Sequence, residues 1–382
     1  MKRYFLFLLS CWLFVPAQAY RTDSLQVSLL TVMPRSDYVW TKFGHTALRL
    51  YDPSQQIDRV LNWGTFDFEA PHFIYRYIRG ETDYFLSETD YVSFLWDYKR
   101  KNTSMVEQIL DLSPEGKEIL LEKIVTNLQP ENRVYRYDFL FDNCTTRVRD
   151  LIEQSATGPD YPASAEKTTF RKLIHSYTEA YPWLTFGIDL LVGAGADSLI
   201  SVRQTLFLPV NLKTILDTTP IVVSSKQLLT AIPEPDSKLG FWESPLIIGC
   251  LILLIYIIIV VRGWRKRRLF KVWFAPLFLV AGAAGCLLAF MVAFSYHPCM
   301  RPNWNLLWLH PLQLAGFVGC FFKKPRRWIR RYHVVNLVVL LGAVVGWHWI
   351  PQALNGADIP FMLCLGVASW AYLRYYRFKK AR

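Results

Sequence analysis

Residues 141–152 read FDNCTTRVRDLI, and the position of the cysteine within them decides how the chain is built. Asp142 and Asn143 are helix-capping residue types, because their side-chain oxygens accept from the unpaired N–H groups of a first helical turn. Either would place Cys144 on the first turn of a helix. Val148, Leu151 and Ile152 follow Cys144 by four, seven and eight positions, which places the thiol on that helix's apolar face. A first turn also carries the positive end of the helix dipole, and Arg147 lies three residues on, so this environment favours a thiolate. A small residue packed beneath a helix is the plain alternative.

A thiol nucleophile needs a base within hydrogen-bond reach, and the base needs a third group to fix its ring. Upstream, LQVSLLTV (25–32), HTALRLY (45–51) and IDRVLNW (57–63) have strand character, and Asp52-Pro53-Ser54-Gln55-Gln56 supplies the breakers of a hairpin between the last two. His45 opens the second strand, and Asn62 on the third is an uncharged partner across the hairpin. Asp67 and Glu69 fall beyond Trp63-Gly64, which reads as a turn. His72, in an aromatic stretch with a helix expected from Pro71 to Ile78, and His175, in RKLIHSYTEAYPW, read as structural. Ser113-Pro114-Glu115 caps a clearer helix. RVYRYDFLFDN feeds the Cys144 helix as an extended segment, and 170–212 reads as helical and then irregular, ending at Leu208-Pro209. VGAGAD (192–197) lacks the strand and lysine of a phosphate loop and reads as a tight turn.

The chain has 382 residues, 52% hydrophobic and 15% aromatic, too apolar for an ordinary soluble protein. Met1–Ala19, with Lys2 and Arg3, an apolar run and Ala17-Gln18-Ala19, reads as a secretory signal peptide cleaved before Tyr20. Leu9-Ser10-Cys11 could instead serve as a lipoprotein cleavage box. The expected domains are an exported catalytic domain over 20–230, a linker over 231–244 with Trp242 at the membrane interface, a membrane domain over 245–376 and a basic tail over 377–382. Five apolar segments fill the membrane domain: about 245–261, 272–295, 304–322, 334–350 and 359–373.

Seventeen Lys and Arg residues flank these segments: six over 262–271, six over 323–331 and five over 374–382. All fall on the cytoplasmic side if residues 20–243 are exported, as the positive-inside rule requires. Removing them from the net charge of +12 leaves −5, so the basicity is a topology signal and no nucleic-acid partner is expected. Of seven cysteines, Cys11 leaves with the leader, Cys250, Cys286, Cys320 and Cys364 lie in apolar segments, and Cys299 is in a short external loop. Cys144 therefore has no partner within the exported domain, and an unpaired thiol in an oxidising compartment is buried or used. No metal-ligand spacing or cofactor motif is present, so neither group is expected.

The order of a histidine-bearing strand, a polar residue on the next strand and "NC" opening a helix is similar to the circularly permuted NlpC/P60-like, papain-like fold also used by lecithin:retinol acyltransferase. More closely, KFGHTALRL, NWGTFDFE, DFLFDNCTTRVRDLI, FLPVNL and RPNWNLLWLHPLQL resemble the Lnb-type membrane proteins of Bacteroidota, across nearly the whole chain. The resemblance implies an α+β exported domain of that thiol fold followed by an all-α bundle of five membrane helices, in the bacterial inner membrane with the catalytic domain in the periplasm.

It also implies a lipoprotein N-acyltransferase, whose partners are a phospholipid acyl donor and a diacylated lipoprotein acceptor. Cys144 would be the nucleophile, His45 the base and Asn62 the orienting residue. The histidine-rich pairing of the retinol-type enzymes is not matched, since Asn62 stands in the third place. Backbone N–H groups at the helix start would meet the oxyanion, with Asn143 and Arg147 binding the substrate there. Asn303, Asn305 and His310 would hold a head group or glyceryl moiety at the outer boundary of the third segment, or belong to an interfacial belt anchored by Trp304 and Trp308. Two other functions fit the same residues: a membrane-tethered cysteine peptidase or amidase acting on cell-wall peptides, and a non-enzymatic envelope scaffold.

Overall fold

The strand of residues 26–32 is buried along almost its whole length, which marks it as the centre of a sheet rather than an edge. The computed structural model describes residues 24–156, 161, 167–233, 240–266, 268–324 and 326–380, with side chains to 375. The expected leader with its two cleavage readings, the middle of the linker, Arg267 and the side chains of the basic tail lie outside the described residues.

In chain order the described elements are β1 (Gln26–Val32), β2 (His45–Asp52), β3 (Ile57–Thr65), α1 (Phe73–Arg79), β4 (Asp83–Asp90), α2 (Tyr91–Arg100), β5 (Met105–Leu110), α3 (Pro114–Leu128), β6 (Val134–Arg136) and α4 (Cys144–Ser155). There follow β7 (Thr168–Thr169), α5 (Phe170–Thr178), α6 (Pro182–Leu191), β8 (Leu199–Ile200), α7 (Val202–Thr205), α8 (Pro209–Leu216) and β9 (Val222–Leu229). Helices α9 (Pro245–Arg265), α10 (Ala275–Phe294), α11 (Gln313–Gly319), α12 (Arg327–Val345) and α13 (Asp358–Lys380) complete it.

Seven strands form one antiparallel sheet in the order β6-β4-β3-β2-β1-β5-β9. Successive residues of a strand point to opposite faces, and both faces here are covered. Val27, Leu29, Leu48, Leu50, Leu61 and Trp63 pack against Leu120 and Ile124 of α3, Val148 and Ile152 of α4, and Leu212 and Leu216 of α8. Leu30, Val32, Ala47, Val60 and Met105 pack with Phe94 of α2 on the other side. Full burial of each such side chain contributes about 1.5–3 kcal/mol, which fixes where the start of α4 meets the sheet.

Two readings of local sequence are corrected. Trp63 and Gly64 do not turn the chain but continue β3 to Thr65, because Trp63 is needed in the core and its indole N–H donates to Asn127 at 2.7 Å. Pro209 begins α8 rather than ending a helical region, since a proline lacks only an N–H that the first turn would leave unpaired. The VGAGAD stretch forms a 3-10 turn over Ala194–Asp197, and a Cβ at Gly193 would lie 2.4 Å from Pro302 O, so the loop needs that glycine to approach so closely.

Three described helical segments, Pro245–Arg265, Lys271–Phe294 and Arg327–Val345, are long and apolar enough to cross a membrane. The third expected segment, 304–322, is not one continuous helix: it folds as a 3-10 turn over Trp304–Leu307 followed by the seven-residue α11. Pro311 interrupts it, and α10 packs so tightly on it that a Cβ at Gly285 would meet the His310 backbone at 2.6 Å. Helix α13 has 23 residues but does not reach the apolar content of those three.

The N-terminal domain is bonded to the loops at one end of these helices. Asn303 Nδ2 donates to Leu190 O and Leu191 O at 3.0 Å each, and Asn305 Nδ2 to Asp189 O at 2.9 Å. Asn355 donates to the Asp189 carboxylate at 2.9 Å, and Gln352 to Val192 O at 3.2 Å. Asp189 is itself buried and accepts from Arg171 and from His175, each at 2.8 Å. His175 thus belongs to the cluster around Asp189.

Candidate active site

Asn143 caps α4, its Oδ1 accepting from the N–H groups of Thr145 at 2.8 Å and Thr146 at 2.9 Å. Its own N–H donates to Thr146 Oγ1 at 2.8 Å, and its Nδ2 to Phe139 O at 2.7 Å and Phe207 O at 3.0 Å, so the residue is buried and all its groups are engaged. These bonds fix Cys144 as the first residue of the helix. A second tie, Thr46 Oγ1 to Thr145 Oγ1 at 3.1 Å, pins this first turn to the start of β2.

His45 and Cys144 come together through a gap in the sheet. β2 and β3 pair from Asp52/Ile57 to Leu48/Leu61 and no further, while β3 shifts register against β4 between Asn62 and Thr65. Into that opening His45 Nε2 donates to Asn62 Oδ1 at 2.8 Å. The Gly64 N–H also donates to Asn62 Oδ1, at 2.8 Å, and since a backbone N–H can only donate, it identifies that atom as the amide oxygen. An amide oxygen can only accept, so the proton sits on His45 Nε2 and Nδ1 is left as the acceptor of the ring, with the Cys144 thiol as the ring's charge partner. Gly64 backs the ring: a Cβ there would stand 2.5 Å from His45 Cε1.

The electrostatics of the pair follow from these contacts. Burial opposes the Cys144 thiolate, yet the charge of His45 and hydrogen bonds from His45, the Thr46 N–H and the Thr145 hydroxyl bring the thiol below its ordinary range. Burial likewise opposes the imidazolium of His45, and the Cys144 charge with its hydrogen bond, aided by Asn62, raises it above the usual histidine value. Both residues remain partly accessible. A line of thiol, imidazole and amide in this order holds a nucleophile and a proton carrier in reach of one reacting carbon.

Arg147 and Asn143 do not face that carbon. Arg147 makes a two-pronged pair with Asp142, at 2.6 and 2.8 Å, and lies 3.7 Å from the centre of the Tyr135 ring, so its charge is already matched rather than added to the thiolate. Of the helix-start N–H groups expected to meet an oxyanion, those of Thr145 and Thr146 are occupied by Asn143, which leaves that of Cys144 itself. Asn303 and Asn305 are buried, with amides bonded to the carbonyls of residues 189–191. They join the two domains instead of presenting amides to a head group. His310 turns into the bundle, its Nε2 3.3 Å from Gln313 Nε2 and its Nδ1 without a partner. Trp308 is buried too, not an interfacial anchor.

Thr46 and Thr145 carry no local pattern that marks them in the sequence, and Gly64, two residues after Asn62, reads locally as part of a turn. Among the described residues no group of histidines, cysteines and carboxylates is arranged to hold a metal ion, and the six described cysteines are all unpaired.

Two family models match the chain. One, described as the Lnb N-terminal periplasmic domain, covers residues 15–176, and the other, described as the Lnb transmembrane domain, covers residues 236–380. No curated protein and no solved structure matches it.

Proposed function

We propose, from the premise that this chain belongs to the Lnb family of membrane proteins with a periplasmic domain, that it is a cysteine-dependent lipoprotein N-acyltransferase of the bacterial inner membrane. The observation that carries the reading is the line from Cys144 through His45 to Asn62, built at a sheet opening in a domain bonded to membrane helices. The exported domain is read as a permuted NlpC/P60-like fold, and all five apolar segments as one membrane domain, with the broken third segment spanning alongside α10.

In the first half-reaction the Cys144 thiolate attacks the ester carbonyl of a phospholipid. The C–S bond forms, the Cys144 N–H meets the developing oxyanion, and the tetrahedral centre collapses with cleavage of the ester C–O bond. His45 gives its Nδ1 proton to the departing lysophospholipid oxygen. In the second half-reaction the α-amine of a diacylglyceryl-cysteine lipoprotein attacks the thioester, His45 takes the amine proton, and the thiolate leaves as the amide forms. Attachment to membrane helices brings the thiol to two substrates that carry acyl tails.

The test is mass spectrometry of the N-terminal peptide of a lipoprotein made in cells that lack their own N-acylating activity. A third acyl chain is expected with the parent chain and none with Cys144→Ala or His45→Ala. Lipoproteins that stay diacylated despite good expression of the parent would sink the transferase reading, and cell-wall peptides would then be assayed for hydrolysis.

A further inference from the structure

A cleft of about 430 Å³ opens where α1 meets the outer end of α10, lined by Arg79, Phe294, Tyr296, His297 and Arg301 among others. Its walls are joined by bonds from the Tyr296 N–H to Arg79 O at 2.8 Å and between the His297 ring and Tyr77 O at 3.1 Å. Two guanidinium groups line this one space. Arg301 donates to the carbonyls of Ala293 at 3.1 Å and Ser295 at 3.0 Å and has no carboxylate partner among the described residues. Arg79 pairs with Glu81 at 2.9 Å but keeps a buried Nε without an acceptor. Arg301 carries the charge that no carboxylate matches, Arg79 adds the unfilled Nε donor beside it, and guanidinium forks match phosphate oxygens.

The position of the cleft indicates which anion. α10 is one of the segments able to cross a membrane, so its outer end lies at the membrane surface. Tyr75 of α1 touches Phe290 of α10, with ring centres 6.2 Å apart, while Phe68, Ile74, Tyr75 and Tyr77 stand exposed beside it. Exposed aromatic and aliphatic side chains at that level suit the lipid interface.

From the cleft a row of rings leads inward: Tyr77 to Phe73 at 6.3 Å, Phe73 to Phe66 at 5.8 Å, Phe66 to Tyr84 at 4.6 Å and Tyr84 to Tyr137 at 4.0 Å. Tyr84 and Tyr137 pack on the same core as Cys144.

We propose that the Arg79–Arg301 cleft holds the phosphate of a phospholipid in the outer leaflet of this membrane, and that the rings from Tyr77 to Tyr84 lead one acyl chain toward Cys144. What happens at the sulfur rests on the transferase reading, but occupation of the cleft does not. The test therefore uses the full chain with Cys144→Ala in nanodiscs of phosphatidylethanolamine, a fraction of which carries a diazirine on one acyl chain. Irradiation followed by peptide mass spectrometry is expected to place adducts on residues 66–77.

Arg79→Gln combined with Arg301→Gln should lower those adducts at least about tenfold relative to adducts on α9, since both charge-assisted donors to the phosphate are lost. Arg301→Lys, which keeps the charge, should retain most of them and so exclude misfolding as the cause. Adducts confined to α9, α10 and α12 would overturn the acyl path, and an unchanged yield in the double variant would overturn the phosphate site. Suppression by millimolar inorganic phosphate would mark the cleft as a free-phosphate site and overturn the lipid assignment, whereas indifference to it supports a lipid-borne phosphate. If the adducts form but the parent chain never acquires an acyl thioester at Cys144, the transferase reading fails and this one stands.

Discussion

At the scale of single residues, the lowered pKa of Cys144 comes from its neighbours, because burial by itself raises the thiol and the contacts with His45, Thr46 and Thr145 together more than reverse this. Alkylation of Cys144 by iodoacetamide, followed by peptide mass spectrometry across pH, should show thiolate forming below the ordinary thiol range. In His45→Ala only burial and the weaker contacts remain, so the inflection should move upward; an inflection that stays put would separate the two residues. In the proposed transfer, the raised His45 pKa would keep the leaving-group proton available to higher pH, so activity should rise as Cys144 deprotonates and fall as His45 does. Gly64→Ala tests placement. A Cβ 2.5 Å from His45 Cε1 must displace the ring, and a shift of this kind should cost about hundredfold in rate with the fold retained. Asn62→Ala, which frees the ring to turn, should cost roughly tenfold or more in kcat. Full activity in both variants would remove Asn62 and Gly64 from the positioning of His45.

At the scale of elements, α4 is held at its first residue by one side chain. Asn143→Ala removes a cap and leaves the Phe139 and Phe207 carbonyls without their donor, for a combined loss of about 2–3 kcal/mol. Asn143→Ser keeps a capping oxygen and loses the amide donor, so it should fall between the parent and the alanine variant in thermal unfolding. Equal losses in both would mean that the cap contributes little. The splaying of β2 from β3 beyond Leu48 and Leu61 is the other decisive element. Leu48 and Leu50 face α4, whereas Ala47, with which His45 shares parity, belongs to the opposite face. Only where the strands part can the imidazole and the thiol at the start of α4 meet.

At the scale of the whole molecule, the amide bonds of Asn303 and Asn305 and the buried Asp189 cluster orient the periplasmic domain on the membrane helices. Asn305→Ala strips donors from the buried carbonyls of residues 189 and 190. Hydrogen exchange in α6 should then rise, and transfer from vesicle phospholipid should fall about tenfold, while alkylation of Cys144 by a soluble reagent stays unchanged. Equal losses in both assays would mean that the substitution damages the site itself rather than its orientation. Asp189→Ala is the harsher change, leaving the buried Arg171 paired only with Asp197, and should destabilise the molecule by about 3–5 kcal/mol.

Local chemistry is legible in the chain wherever one element specifies it. The hairpin residues 52–56, the Ser113 and Asn143 caps and the apolar face of α4 follow from side-chain period and from capping oxygens, which act within a few residues. His45, Asn62 and Cys144 could be named as a set, since each is the residue of its element with the needed chemistry. What the tertiary structure alone decided depends on contacts between distant segments. The continuation of β3 through Gly64, the withdrawal of Arg147 to Asp142, the breaking of segment 304–322 and the use of Asn303 and Asn305 as domain ties are of this kind. In each case a polar group or a glycine has several partners of similar energy within reach, and which one it takes is set by packing that no local pattern encodes.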